Sequence, residues 1–274
     1  MNYIKSAKIG FGTSNIVAST HLDHWKVGEL SLRHAIDVGY KVIDTAEQYG
    51  NGRSENLIGK VLTDTKKRNE IEIVSKVLPS NASTKELIFK SCINSIKRLQ
   101  CDYIDVYLLH WRDPADLPLA PIIEAFMELK SKGLIKNYGV SNFGGKGLRE
   151  WKATEEQLGL KFSVAVNQHH YSITQRDPER YYLDWQQEHN IVHMAYSPIS
   201  NKRNNILNNP SFIKISQEYG FDPAQLAIAW TIRKDGVMAI PSSTNFKNIE
   251  LNFSAQDLIL DNDVLAAIDK EFPL

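Results

Sequence analysis

The chain has 274 residues, of which 42% are hydrophobic and 23% charged, a composition typical of a globular protein. Its formal net charge is zero, so neither nucleic acid nor an acidic membrane surface is a favoured partner. No apolar run approaches the roughly 18 residues of a membrane span, and the first residues lack the apolar segment of a signal peptide. We therefore expect a cytoplasmic protein.

The chain contains only two cysteines, Cys92 and Cys101, and no C-x-x-C or Cys/His spacing of a metal site. We expect no structural disulfide and no metal. The adjacent pair His169 and His170 does not change this expectation, because neighbouring residues of a strand point to opposite faces and cannot easily share an ion.

Short β-branched runs alternate with amphipathic stretches along the chain, which predicts repeated βα units and a parallel sheet. The predicted strands cover residues 8–13, 41–46, 71–76, 104–111, 135–142, 163–169, 192–198 and 237–243. The predicted helices include residues 84–99, 120–133, 246–252 and 261–272. Gly133 is expected to cap the second of these helices.

The spacing of the units, about 30 residues each, favours a (β/α)8 TIM barrel of the α/β class. A doubly wound open sheet is the alternative, because periodicity alone does not show closure. The first predicted strand argues against it, since Gly10 and Gly12 are not followed by the third glycine of the dinucleotide-binding G-x-G-x-x-G pattern. No low-complexity linker divides the chain, so we expect a single domain spanning residues 1–274.

Several predicted strands end with an apolar residue that is followed two positions later by a polar one. The pairs are Val42/Asp44, Val74/Lys76, Leu108/His110, Val140/Asn142, Val166/Gln168 and Met194/Tyr196. Because strand side chains alternate with period two, both members of a pair point the same way. If the apolar member packs inside the barrel, its polar partner lies at the C-terminal mouth, where barrel enzymes have their active sites.

Three of these polar residues, together with a tyrosine on a following loop, suggest a proton-transfer site. A phenol has a pKa of about 10, too high for easy proton transfer near neutral pH, and a nearby ammonium lowers it. Asp44 and Lys76 follow neighbouring strands, and Tyr49 lies on the loop after the first of them. His110, after the next strand, can donate a hydrogen bond to a carbonyl oxygen. Each residue alone has a structural explanation, but together they predict a proton donor that needs a hydride source.

The segments DTAEQYGNGRSENLIG, VSKV, LLHW, YGVSNF, NQ, AYSP and IPSST resemble the aldo-keto reductases, in the same order and from about residue 8 to 272. Within that family the chain is most similar to bacterial reductases of methylglyoxal and other small aldehydes. The resemblance implies a barrel that binds NADPH or NADH without a Rossmann fold and reduces a small aldehyde or ketone to an alcohol. A cofactor-binding regulatory protein with low turnover is the alternative, and lyase or isomerase chemistry is a third possibility.

The resemblance also implies the site residues. Tyr49 is expected to be the general acid, supported by Asp44 and Lys76. His110 orients the carbonyl group. The residues expected to hold the cofactor are Gly12, Thr13, Asp44, Ser141, Asn142, Gln168, Tyr196, Ser197, Pro198, Ile199, Ile240, Ser242, Ser243, Asn245, Asn248 and Asn252. In this set the carboxamide is held by Ser141, Asn142 and Gln168, and the ring of Tyr196 stacks on the nicotinamide.

Two positions depart from the family pattern near the cofactor's 2′-phosphate. Ser242 stands where many members have lysine, and Asn248 where they have arginine. The loss of a cation and of a bidentate guanidinium weakens phosphate binding. We therefore expect the protein to use both NADPH and NADH, with NADPH only modestly preferred.

A third departure concerns the substrate pocket. Ser14 occupies a position that often holds a pocket tryptophan, and the chain lacks the family's long C-terminal loop. We expect an open pocket for a small carbonyl substrate, bordered by Trp111 and Trp25. The protein is expected to be a monomer or a weak homo-oligomer.

Overall fold

The structure is a computed structural model that describes residues 3–17, 22–112, 117–199 and 205–274. The strands are β1 (Phe11–Gly12), β2 (Val42–Asp44), β3 (Glu72–Val77), β4 (Ile104–Leu109), β5 (Ile135–Ser141), β6 (Val166–His170), β7 (Val192–Tyr196) and β8 (Val237–Ala239). The helices are α1 (Tyr3–Ser6), α2 (Leu22–Val38), α3 (Arg53–Thr65), α4 (Lys85–Leu99), α5 (Leu119–Ser131), α6 (Gly145–Gln157), α7 (Asp177–Tyr181), α8 (Leu183–Glu188), α9 (Pro210–Glu218), α10 (Pro223–Thr231), α11 (Phe246–Ser254) and α12 (Asn262–Glu271). Within these ranges no helix is long and apolar enough to cross a bilayer.

The eight strands are parallel and follow one another around the sheet in chain order. The sheet closes because the last strand pairs with the segment that leads into the first. Ala239 donates its N–H to the carbonyl oxygen of Lys8, and Gly10 donates to that of Ala239, both at 2.9 Å. This closure confirms the predicted (β/α)8 barrel and excludes the open doubly wound sheet.

Apolar side chains form two layers separated by the strands. The inner cluster consists of Ile4, Val42, Val74, Val106, Leu108, Val166, Val192, Met194, Met238 and Ile240. The intervening strand residues, such as Ile43, Ile73 and Tyr107, point outward and pack under the helices. The alternation follows from the period-two geometry of strands, which places valines and methionines in the barrel and larger residues outside it.

The inward orientation predicted from the polar strand ends is confirmed for five of the six pairs and is wrong for β5. Val140 belongs to the outer cluster, and Gly139 faces the barrel interior instead. A Cβ atom at Gly139 would lie 2.2 Å from the carbonyl oxygen of Val166, so only glycine fits this close approach. Asn142 reaches the mouth because its backbone adopts a left-handed conformation, with φ of 61°, directly after the strand.

The predicted element boundaries hold best for the helices. Helix α4 starts after Thr84, whose side chain accepts a hydrogen bond from the backbone N–H of Leu87 at 3.3 Å. Gly133 lies one residue beyond the C-cap of α5, with φ of +72°, and its N–H donates to the carbonyl oxygen of Lys130. The strands β7 and β8 are shorter than predicted, because their polar ends leave the sheet and line the mouth. Ser197, with φ of 52°, ends β7 in this way.

Candidate active site

A cavity of about 510 Å³ lies at the carboxyl ends of the strands. Most of the predicted site residues line it, namely Gly12, Asp44, Tyr49, His110, Trp111, Ser141, Asn142, Gln168, Tyr196, Ser197, Pro198, Ile199, Ile240 and Ser242. Its wall also includes Ser14, Asn15 and Pro241, of which Asn15 and Pro241 were not among the predicted site residues. The parallel sheet explains this convergence, because every strand of a barrel delivers its C-terminal end to the same mouth.

The ammonium of Lys76 is fully buried and lies at the centre of the polar group. Its Nζ atom lies 2.7 Å from Asp44 Oδ1 and 2.7 Å from the carbonyl oxygen of Thr45. A third contact, of 3.2 Å, joins it to the phenol oxygen of Tyr49. Burial lowers the pKa of Lys76, but Asp44 and Tyr49 outweigh burial, so the net pKa is raised and the ammonium stays charged.

The pKa of Tyr49 differs from the sequence expectation. Burial raises it and outweighs the opposite effect of Lys76, while the charge of Asp44 adds to the increase. The expectation that Lys76 lowers the net pKa of Tyr49 below its ordinary value was therefore wrong for the structure described here. A phenol with a raised pKa is fully protonated near neutral pH, which suits a proton donor.

His110 is present as a neutral imidazole. Burial, reinforced by the charge of Lys76, lowers its pKa from 6.5 to about 3. Its ring meets that of Tyr49 edge-on, with centroids 5.9 Å apart. The Nδ1 atom is buried without a hydrogen-bond partner among the described residues, so we place the single N–H on Nε2. A neutral N–H donor beside the phenol can orient a carbonyl oxygen without adding a competing charge.

Hydrogen bonds connect the residues predicted to hold the cofactor. The amide of Asn142 accepts from the hydroxyl of Tyr196 at 2.9 Å and donates to the carbonyl oxygen of His110 at 2.9 Å and to Ser141 Oγ at 3.1 Å. Gln168 donates from Nε2 to Asp44 Oδ1 at 2.7 Å. These contacts join Asn142 to Tyr196 and to the ends of β4 and β5.

Of the residues predicted to hold the carboxamide, Gln168 and Ser141 each face the cavity with a hydrogen-bonding group that no described residue uses. The carbonyl oxygen of the Gln168 side chain accepts no hydrogen bond, and the hydroxyl of Ser141 accepts one from Asn142 but donates none. An acceptor next to a donor matches the NH2 and C=O of a carboxamide. The ring of Tyr196, supported on one side by His170 at a centroid distance of 5.4 Å, also lines the cavity. These residues fit a nicotinamide.

The remaining predicted cofactor residues lie outside the cavity wall. Thr13 is buried and donates from Oγ1 to the carbonyl oxygen of Asp44 at 2.8 Å, so it supports the site from behind. Asn245 caps α11 by accepting from the N–H of Asn248 at 3.1 Å, and Asn252 is buried on the same helix. Ser243 donates its hydroxyl locally to the carbonyl oxygen of Asn245. The residues that directly follow Ile199, at positions 200–204, lie outside the described part of the chain.

The two predicted substrate-pocket tryptophans have different positions. Trp111 lines the cavity next to His110 and is 38% exposed at its rim. Trp25 lies on α2, where it packs against the outer apolar cluster, and the guanidinium of Arg53 lies 6.0 Å from its ring centroid. The structure therefore does not place Trp25 in the cavity wall, whereas Ser14 lines it.

The closed barrel and its polar mouth define an α/β-barrel oxidoreductase with a tyrosine–lysine–aspartate centre. The sequence model described as the Aldo/keto reductase family matches residues 8–271, so this chain belongs to the aldo/keto reductase family. It is an NAD(P)H-dependent reductase. The resemblance noted in the sequence is thereby confirmed.

Individual relatives agree with this assignment. Methylglyoxal reductase YeaE of Escherichia coli is 34% identical over 247 residues, covering 89% of this chain and 84% of that protein. Methylglyoxal reductase DkgB of Salmonella typhimurium is 31% identical, covering 87% and 86%. The aldo/keto reductase of Klebsiella pneumoniae, crystallised with NADP and acetate, superimposes with a TM-score of 0.87 at 34% identity and covers 97% of this chain and 91% of its own. The thermostable reductase Tm1743, in complex with epalrestat, gives 0.85 at 31% identity, covering 96% and 94%.

Proposed function

We propose that this protein reduces small aldehydes and ketones of the methylglyoxal type, with Tyr49 as the proton donor. The observation that carries the proposal is the contact of 3.2 Å between Tyr49 and Lys76, beside a neutral His110 and inside a cavity that fits a nicotinamide. The names of the bacterial relatives support the substrate class.

Each residue has a defined task in the reaction. When bound, the nicotinamide supplies a hydride to the carbonyl carbon. His110 donates a hydrogen bond from Nε2 to the carbonyl oxygen and so fixes its position. Tyr49 gives its proton to the same oxygen as negative charge develops there. Lys76 stabilises the phenolate that remains, and Asp44 keeps Lys76 charged and in place.

The cofactor residues follow from the same geometry. Ser141, Asn142 and Gln168 would hold the carboxamide, and Tyr196 would support the nicotinamide ring. Ser242 lines the cavity and Asn248 lies exposed on α11, and neither position carries the lysine or arginine of the family pattern. We propose that NADPH is preferred over NADH only modestly. Ser243, Asn245 and Asn252 remain proposed contacts of the adenosine end.

The remaining sequence predictions are part of this proposal. We propose one domain over residues 1–274 and a monomer or weak homo-oligomer. A cytoplasmic location is compatible with the two cysteines, which are both free thiols.

The test is a turnover assay that follows nicotinamide absorbance with methylglyoxal and a panel of small aldehydes and ketones, using NADPH and NADH in turn. Turnover that depends on the carbonyl compound supports the proposal. Tight cofactor binding without turnover of any panel member would favour the alternative, a cofactor-binding regulatory protein of the same fold. Oxidation of the cofactor without a carbonyl substrate, measured in parallel, gives the background rate.

A further inference from the structure

Glu47 connects the two chain segments that carry Tyr49 and Lys76. Its Oε1 atom accepts a hydrogen bond from the backbone N–H of Leu78 at 2.7 Å and another from the side-chain amide of Asn81 at 3.0 Å. Its other carboxylate oxygen accepts from the hydroxyl of Ser91 on α4. All three donors follow β3 in the chain, whereas Glu47 belongs to the loop that follows β2.

The hydrogen bond between Glu47 and Leu78 lies close in sequence to the contact between Tyr49 and Lys76. Glu47 precedes Tyr49 by two residues, and Leu78 follows Lys76 by two. The start of the loop is also joined to β3 by the N–H of Thr45, which donates to the carbonyl oxygen of Val74 at 2.8 Å. Nearer to Tyr49, the backbone contact is longer, 3.4 Å from the N–H of Glu47 to the carbonyl oxygen of Lys76. The carboxylate of Glu47 therefore adds three hydrogen bonds between the loop that carries Tyr49 and the chain that follows Lys76.

The phenol oxygen of Tyr49 is held in place by fewer hydrogen bonds than Lys76 or Asp44. Within the described residues its hydroxyl has one hydrogen bond, to Lys76. Lys76 itself has two further partners, Asp44 and the carbonyl oxygen of Thr45, and Asp44 also accepts from Gln168. Movement of the loop would thus separate Tyr49 from an ion pair that stays where it is.

Glu47 does not reach the substrate cavity. It lines a separate polar cavity of about 340 Å³ on the other side of the loop, together with Asn81 and Ser91. Direct contact with a carbonyl substrate is therefore excluded as the basis of any effect on turnover.

We propose that Glu47 is a positioning residue that holds the proton donor Tyr49 against Lys76. The inference rests on the proposed function, because it assigns to Glu47 an effect on proton donation. A misplacement of about 1 Å at a reacting group can cost about 10²-fold in rate, so a connection of this kind has measurable kinetic consequences.

The test compares Glu47→Ala with Glu47→Gln. The glutamine keeps a carbonyl oxygen for Leu78 and Asn81, and its amide can donate to Ser91, so it preserves the connection without the charge. We expect Glu47→Ala to lower kcat by at least about tenfold, with KM and the cofactor Kd within about twofold, and Glu47→Gln to restore most of kcat. Cofactor Kd is measured by fluorescence titration, which does not depend on turnover.

A pH profile separates positioning from general destabilisation. The charged or titratable groups that face Tyr49 are Lys76, Asp44, His110 and Tyr196. Lys76 lowers the pKa of Tyr49, so separating the two raises that pKa further. Because the reaction needs the protonated phenol, the alkaline limb of kcat/KM should move to higher pH in Glu47→Ala and stay unchanged in Glu47→Gln.

The outcomes are distinguishable. A wild-type protein without turnover contradicts the proposed function. A wild type that turns over while Glu47→Ala keeps its kcat and pH profile overturns the positioning role, as does a Glu47→Gln variant impaired as strongly as Glu47→Ala. If Glu47→Ala does not fold, the double variant Asn81→Ala/Ser91→Ala removes two donors and leaves Glu47 in place. It should shift the alkaline limb in the same direction, and an unshifted limb overturns the inference.

Discussion

The ammonium of Lys76 lies 3.2 Å from the phenol oxygen of Tyr49, but its charge is not the only influence on the pKa of Tyr49. The burial that brings them together raises the pKa of Tyr49 by more than Lys76 lowers it. The same contact therefore has two uses. It leaves the phenol protonated before the reaction and stabilises the phenolate after the proton has left.

Tyr49→Phe is expected to abolish reduction and leave cofactor binding almost intact, because only the transferable proton is lost. The expected loss in kcat is about 10²–10⁴-fold, the usual scale of general acid catalysis. Steady-state kinetics with methylglyoxal and a fluorescence titration of NADPH measure the two effects. Tyr181→Phe, at a tyrosine that is 61% exposed, is the matched control and should be silent. A Tyr49→Phe enzyme with more than about a tenth of the wild-type kcat would exclude Tyr49 as the donor.

Lys76→Met is expected to lower kcat about 10²-fold, and its residual activity should show a shifted pH profile. Without Lys76 the pKa of Tyr49 rises further, and since the protonated phenol is the active form, the alkaline limb of kcat/KM moves to higher pH. Lys41→Met removes a charge from an exposed pair with Glu70 and serves as the control. An active Lys76→Met enzyme with an unchanged limb would show that Lys76 is only structural.

Ser242→Lys is expected to tighten NADPH binding about tenfold, which corresponds to roughly 1.4 kcal/mol, and to leave NADH binding almost unchanged. The reason is that the new cation reaches the cofactor end of the cavity, where only NADPH carries a 2′-phosphate. Fluorescence titration of both cofactors into both proteins measures the change. Ser131→Lys, at the end of α5, adds the same charge elsewhere and should have no effect. Equal tightening of NADPH and NADH would contradict the position assigned to Ser242.

Glu179→Gln is expected to destabilise the fold by about 3 kcal/mol at neutral pH. Among the described residues it leaves Arg233 without a counter-charge and Arg176 with only the more exposed Asp269. The carboxylate is 7% exposed and lies 3.1 Å from Arg176 Nε and 2.7 Å from Arg233 Nη2. Burial raises its pKa, but the two arginines outweigh burial and hold it at about 2, below the ordinary 4.5.

The sign of the pH dependence follows from that lowered pKa. The stabilisation by Glu179 is complete above about pH 4.5 and is lost as the pH falls towards 2. Urea unfolding at several pH values should therefore show the difference between wild type and Glu179→Gln shrinking below pH 4.5. The control Glu156→Gln, in an exposed pair with Lys152, should change stability by no more than about 0.5 kcal/mol. A pH-independent difference would contradict the ionised state of Glu179.

The alternation of apolar and polar residues within each strand predicts most of the barrel and the residues of the catalytic group. Strand side chains alternate with period two whatever surrounds them, so a valine followed by a polar residue was sufficient to place Asp44 and Lys76 at one mouth. The inner cluster and the hydrogen bonds around Lys76 agree with that placement. The rule failed at β5, where Gly139 faces inward and Asn142 has a positive φ, since backbone approach and left-handed geometry depend on the neighbouring strand.

The pKa values of the site and the contacts that hold its residues in place depend on residues far apart in the chain. Burial, which no short segment specifies, reversed the expected net pKa shift of Tyr49. The tertiary structure also places Thr13 behind Asp44 and leaves Trp25 outside the cavity wall. Glu47 stood inside the segment DTAEQYGNG, but its role was invisible there because its partners Leu78, Asn81 and Ser91 lie 31 to 44 residues away. Alternation and residue chemistry are local properties, whereas desolvation and the meeting of distant loops exist only once the barrel has closed.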